Sequence, residues 1–270
     1  VAVEAAWLAS LRPSLVLCDV PSLACEAAAK AGVPSYLVSN FTWDWVLGER
    51  AKEDPRWLPV AGRMADAYAS AAGAWRLPGS GGFATVGKVS EAGLVARRSM
   101  KPREKARAAL GVPADGKPLV LVSFGGFGAA TPMLSDPALA AYRFAGFGPK
   151  PAGMTAEWTE LSESPALPHA ESVAACDVLV CKPGYGTFAE GAAHGARLLY
   201  VDCPDYAEAR ALTSWFARET ASFELARADF EAGRWAPALA AVLALPARAP
   251  VRSDGAEQIA LRLRGLMTAG

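Results

Sequence analysis

The chain has 270 residues, 52% of them hydrophobic and 20% charged, with 27 Lys plus Arg balancing 27 Asp plus Glu. That composition excludes disorder as the dominant state, and a net charge of zero without a long basic run argues against a nucleic-acid partner. The longest apolar stretches are strand-sized and broken by Asp, Lys, Arg or Pro, short of the roughly 18–20 residues that span a bilayer.

VAVEAAWLASL opens the chain without Met and predicts the end of an amphipathic helix rather than a signal peptide, since it has no basic leader and no long apolar core. SLVLCDV (14–20), SLACEAAAKAG (22–32) and PSYLVSN (34–40) then alternate strand-length apolar runs with an Ala-rich helical segment, which is the rhythm of a βαβ unit. Strands apolar throughout and flanked by helices belong to parallel sheets covered on both faces, so the expected class is α/β, doubly wound. At the ends of these strands, Asp19 precedes Pro21 and Ser22, and NFTWDW (40–45) presents Asn40, Trp43 and Asp44. Aromatic rings beside a carboxylate suit sugar recognition, although Trp43 and Trp45 also suit a core.

A basic stretch, VARRSMKPREKARAALGVPADGKP (95–118), reads as the connection to a second unit. The expected division is 1–105 as a partial amino-terminal Rossmann-like domain, 106–117 as linker, 118–250 as a second Rossmann-like domain, and 251–270 as a terminal helix returning to the first. PLVLVSFGG (118–126) predicts a strand ending in a glycine turn at Ser123, Gly125 and Gly126. The stretch from Gly125 to His169 is rich in Gly and Pro and predicts mostly loop. A helix is expected near 170–176, a strand at DVLVC (177–181), a helix from Thr187, a strand at ARLLYVD (196–202), and two or three terminal helices.

The segment CKPGYGTFAEGAAHG carries the clearest chemistry. Gly184 and Gly186 predict a tight turn with positive φ, and Thr187 is expected to cap a helix whose amides and dipole face the carboxyl edge of the sheet. That is a ready anion site, to which Lys182 adds a charge. Thr187-x-x-Glu190 also fits a capping box, which leaves Glu190 open to a purely structural role. No GxGxxG spacing, GxxxxGK[ST] loop, GxSxG elbow, DxD pair or HExxH motif is present, which disfavours NAD and FAD, P-loop and hydrolase chemistry and predicts no metal. His169 and His194 have no partner in sequence and read as structural. The five cysteines, Cys18, Cys25, Cys176, Cys181 and Cys203, form no CxxC pair and predict reduced structural thiols in a cytoplasmic setting.

Strand, glycine turn, Glu-bearing helix, Gly and strand together resemble the donor site of GT-B glycosyltransferases, best in the second half, which looks like the carboxy-terminal domain of the peptidoglycan N-acetylglucosaminyltransferase group. CDVPSLACEAAAKAGVPSYLVSNFTWDW, FGG, GYGT and GRW are similar to segments of the glycosyltransferase-like region preceding the kinase in plant L-arabinokinases. The resemblance implies a GT-B fold and an interdomain donor site for a nucleoside-diphosphate sugar, a UDP-sugar first, with no cofactor. It further implies that Gly184, Tyr185, Gly186 and Thr187 contact the diphosphate with Gly125 and Gly126 opposite, that Glu190 binds the ribose, and that Asp205, Glu208 and Arg210 lie near the donor sugar. The glutamine usual in that last segment is absent. The family's first strand and its glycine- and histidine-bearing loop have no counterpart, so truncation at the amino terminus is expected. Asp19 and Asp44 remain as carboxylates with general-base chemistry. The implied activity is a metal-independent hexosyl- or pentosyltransferase; the alternatives are a non-catalytic sugar-nucleotide module associated with a sugar kinase, and an epimerase of the same fold.

Overall fold

The computed structural model describes residues 1–124, 132–162, 164, 167–203 and 206–268. The chain divides into two compact units: Val1–Val95 with Asp205–Leu212 and Ser253–Gly270, and Ala96–Pro204 with Thr213–Arg252. Segment 96–117 thus counts with the second unit, and 253–270 with the first.

The first unit runs α1 (Ala2–Leu11), β1 (Val16–Cys18), α2 (Ser22–Lys30), β2 (Ser35–Ser39), α3 (Trp43–Ala51), α4 (Leu58–Ala69), β3 (Gly73–Arg76) and β4 (Val89–Glu91). Its sheet is parallel throughout in the order β1-β2-β3-β4. In β2 the alternate residues Ser35, Leu37 and Ser39 are buried. Leu37 packs with Cys18, Cys25, Tyr68, Ala74 and Phe83, and burying an apolar side chain of this size stabilises the fold by about 1.5–3 kcal/mol.

The second unit runs α5 (Arg103–Ala109), β5 (Leu119–Ser123), β6 (Arg143–Gly146), β7 (Glu157–Glu160), α6 (His169–Ala175), β8 (Val178–Cys181), α7 (Tyr185–His194), β9 (Arg197–Val201), α8 (Ala207–Glu219), β10 (Ser222–Leu225), α9 (Arg227–Glu231) and α10 (Ala236–Ala244). Residues 207–212 of α8 count with the first unit, as does the last helix, α11 (Gly255–Thr268). Gln258 on α11 accepts from the Gly93 amide at 3.3 Å, and the Gly255 amide bonds Leu94 O at 3.0 Å. The second sheet is parallel in the order β10-β9-β8-β5-β6-β7. Every residue of β5 and β8 is buried, which is why both read as continuous apolar runs. Val120, Val122, Val178, Val180, Leu199, Trp235 and Leu239 form the core.

Both sheets are the parallel α/β type expected, with three corrections. The stretch before His169, expected as loop, contains β6 and β7, and β10 lies among the expected terminal helices. α7 starts at Tyr185 rather than Thr187, with Gly184 as its N-cap and no side-chain cap bond, so the capping box does not form. Gly184 is extended, at φ −136° and ψ 134°, and Gly186 is helical without positive φ, so the turn needs neither glycine for its backbone.

Candidate functional site

Ser123 and Cys181 are register partners, so β5 and β8 end side by side. From there the order grows through β6 and β7 on one flank and through β9 and β10 on the other. Ligands of open α/β sheets bind where strand order reverses in this way, at the carboxyl edge. α7 rises from that edge, its first-turn amides having no intrahelical acceptor and its N-cap, Gly184, no side chain to cap them. Among the described residues, a Cβ built on Gly184 or Gly186 meets nothing within 4 Å. The second turn instead lies close to the sheet: a Cβ on Gly191 would come 2.5 Å from Leu198 Cδ2. Lys182 and Thr187 are half-buried beside the opening, and Gly186 is exposed.

Glu190 is 3% exposed, and its carboxylate is bound on both oxygens. Oε2 meets His169 Nδ1 at 2.5 Å, and Oε1 accepts from Arg97 Nε at 2.5 Å. Burial pushes the Glu190 carboxyl up, but the hydrogen bonds and charges of His169 and Arg97 outweigh it, so the group is held below the usual carboxylate range. His169 Nε2 in turn lies 2.8 Å from Ser123 Oγ, and its ring stacks on Phe147 with centroids 5.4 Å apart. Four residues, Ser123, His169, Glu190 and Arg97, thus form one polar chain.

His169 therefore has partners, against the expectation that it had none; it begins α6 and meets residues 46 positions upstream and 21 downstream. Arg97, in the basic stretch read as a connection, was likewise missed. The structural role expected of His194 matches its surroundings. Its Nε2 accepts from the Ser99 amide at 2.9 Å, its Nδ1 lies 2.8 Å from the Glu190 carbonyl, and burial lowers its pKa, favouring the neutral ring.

In the first unit, Asp19 is exposed at the end of β1. Asn40 follows β2 and is 6% exposed, with Nδ2 lacking a hydrogen-bond partner among the described residues. Trp43, 38% exposed, starts α3 and meets Phe41 edge-on. Asp44 Oδ2 accepts from Thr85 Oγ1 at 2.9 Å. Glu208 and Arg210, in the first turn of α8, count with this unit. The structure thus joins Ser123 to Glu190 through His169 and sets Lys182 and 184–187 on the same sheet edge, while Asp19, Asn40, Trp43, Asp44, Glu208 and Arg210 belong to the other unit. Gly125, Gly126 and Asp205 lie outside the described residues. Among the described residues no group of three or more His, Cys, Asp or Glu is placed to hold a metal ion, and no helix is long and apolar enough to cross a membrane.

No protein-family model matches the sequence. The chain is 27% identical to L-arabinokinase of Arabidopsis thaliana over 258 residues, which is 90% of this chain and 23% of that protein. It therefore spans about a quarter of the length of this relative. Among solved structures, the calicheamicin glycosyltransferase CalG4 superposes with a TM-score of 0.64 at 18% identity, covering 99% of this chain and 76% of that one. Phytolacca americana UGT2, solved with UDP-2-fluoro-glucose and pterostilbene, gives 0.62 at 15%, covering 99% and 74%. Arabidopsis thaliana UGT89C1 gives 0.61 at 17%, covering 91% and 68%. These likenesses establish the fold: the two parallel-sheet α/β units are of the GT-B glycosyltransferase type.

Proposed function

We propose that the second unit binds a nucleoside-diphosphate sugar at the carboxyl edge of β5 and β8, and that the protein transfers the sugar to an acceptor hydroxyl without a metal. The observation that carries this reading is the space left open among the described residues at Gly184 and Gly186, where neither backbone conformation nor described packing calls for glycine. A phosphate approaching the amides of α7 is a reason for both. Lys182 and the helix dipole would stabilise the departing diphosphate. Glu190, ionised and fixed by two donors, has lone pairs left for the vicinal hydroxyls of a ribose. Uridine is the preferred base because two neighbours of this fold are described with UDP-2-fluoro-glucose and as a UDP-glucosyltransferase. For the acceptor hydroxyl, the first unit offers Asp19, exposed at a strand end, ahead of Asp44, which is engaged by Thr85, with Asn40 and Trp43 nearby in sequence.

A second reading, a non-catalytic sugar-nucleotide module, is favoured by one observation: the curated relative is named as a kinase, and the match covers 23% of it. Calorimetric titration with UDP, GDP and dTDP, using wild type, Glu190→Ala and Gly186→Val, tests the shared premise. UDP is expected to bind best and both substitutions to weaken it by roughly tenfold or more, about 1.4 kcal/mol. If no nucleotide binds better than inorganic phosphate, the site assignment is wrong. Incubation with UDP-glucose and a panel of sugar acceptors then separates transfer from mere binding.

A further inference from the structure

We infer that Ser123, His169 and Glu190 form a proton-linked relay, in which protonation of His169 turns the Ser123 hydroxyl into a donor for the ligand's phosphate. The inference rests on the diphosphate reading above and adds a positioning residue, His169, whose protonation state sets what Ser123 offers. It begins with Glu190. Because His169 and Arg97 keep that carboxylate ionised, it is acceptor-only, so the 2.5 Å contact requires a proton on His169 Nδ1.

The state of Nε2 then decides the role of Ser123, 2.8 Å away. In the neutral ring Nε2 has a lone pair and takes the Ser123 hydroxyl proton, leaving only oxygen lone pairs for anything at the end of β5. Those repel a phosphate oxygen. When His169 gains a proton, Nε2 donates to Ser123 Oγ and the hydroxyl proton is released toward an outside acceptor. A diphosphate at this edge favours the protonated ring twice, through that hydrogen bond and through charge. By linkage, protonation favours the diphosphate to the same extent.

The surroundings of His169 fit a switch of this kind. Ser123 faces it from β5, Phe147 stacks on it from the end of β6, and Glu190 faces it from α7, backed by Arg97. On its own helix Glu171 pairs with Lys101 at 3.5 Å, and His194 acts on the Glu190 carbonyl.

Isothermal titration with UDP-glucose, whose diphosphate is esterified at both ends and has no titrating proton in this range, tests the relay. From about pH 8 to about pH 5.5, affinity should tighten by roughly fivefold or more. Heats measured in buffers of different ionisation enthalpy should show net proton uptake on binding. Ser123→Ala and His169→Gln should each flatten this pH dependence, whatever their absolute affinities. Because His169→Gln also loosens Glu190, the wild-type imidazole resonances of the two histidines are to be followed by NMR with and without UDP-glucose; the His169 midpoint should rise on binding. Binding that does not depend on pH, proton release, an unmoved midpoint or a pH dependence undiminished in Ser123→Ala overturns the relay alone. Absence of UDP-glucose binding at both pH values overturns the diphosphate reading and the relay with it.

Discussion

The carboxyl edges of the two sheets use glycine in opposite ways. After β3 in the first unit, a Cβ on Gly81 would run into the ring of Trp45, and one on Gly82 would come 2.5 Å from Thr42 Oγ1 and 2.8 Å from Trp45 Cβ. Gly82 also has φ 89°, a backbone region that side chains avoid. After β8 in the second unit, Gly184 and Gly186 have ordinary backbones and no described atom within 4 Å of a Cβ built there. One edge is closed by its own side chains, and the other is left open. The difference teaches that a glycine turn at a strand end is a binding site only when the fold gives no internal reason for the glycine.

The comparison breaks most directly by substitution. Gly82→Ala should destabilise the protein by about 2–4 kcal/mol, combining left-handed strain with overpacking, as read by urea denaturation. Gly184→Ala should leave stability within about 0.5 kcal/mol while weakening UDP binding. If Gly82→Ala unfolds no more readily than wild type, the first edge is not closed as described. A loss of stability in Gly184→Ala would mean that the open space is filled.

The same contrast between internal and external reasons explains what the sequence could convey. β5 and β8, buried on both faces at the centre of the sheet, read unambiguously as LVLVS and VLVC. β4, β7 and β10 are edge strands of three or four residues that carry Glu91, Glu157, Glu160 and Glu224. Charges on an edge deter further pairing, and they also erase the apolar signal that would mark a strand. At the site, KPGYGTFAE was legible because an anion cradle is local in sequence. The chain from Arg97 to Ser123 was not, since its members lie 21 to 93 residues apart and only the folding of β5, α6 and α7 brings them together. The capping box misled for a related reason: Thr187-x-x-Glu190 satisfies a local rule, but the helix begins two residues earlier and Glu190 turns to tertiary partners.

The opposite end of the central strands sharpens the comparison further, because there the second unit is sealed by charge. Asp177, just before β8, accepts from the Leu119 amide at 2.7 Å and from Arg103 at 2.8 Å, and also from Arg107. Asp177→Ala strands two guanidinium groups and a backbone amide, and should cost about 2–3 kcal/mol. Asp177→Asn should cost less, since it can still accept one of these bonds. A change below about 0.5 kcal/mol in denaturant unfolding would show that the ion pairs are loosely held. Nucleotide binding at the far edge should persist in any variant that folds.

The smallest expected effect is also the most specific to the open edge. Glu190 has its folded pKa lowered from 4.5, by His169 and Arg97 acting against burial. A carboxylate depressed on folding adds stability that is fully present above its unfolded pKa and lost as pH falls through the folded value. Replacing it by Gln removes that contribution at neutral pH but has less to remove in acid. The stability gap between wild type and Glu190→Gln should therefore be wide while the carboxylate stays ionised and narrow once the pH drops well below 4.5, a comparison in which the acid response of every other carboxylate cancels. Paired urea unfolding curves at neutral and acidic pH measure it. A gap that stays constant or widens in acid would mean that the folded protein does not favour the ionised carboxylate, and the Glu190 to His169 contact would then have to be read with the acid protonated, leaving it a donor rather than a seat for ribose hydroxyls.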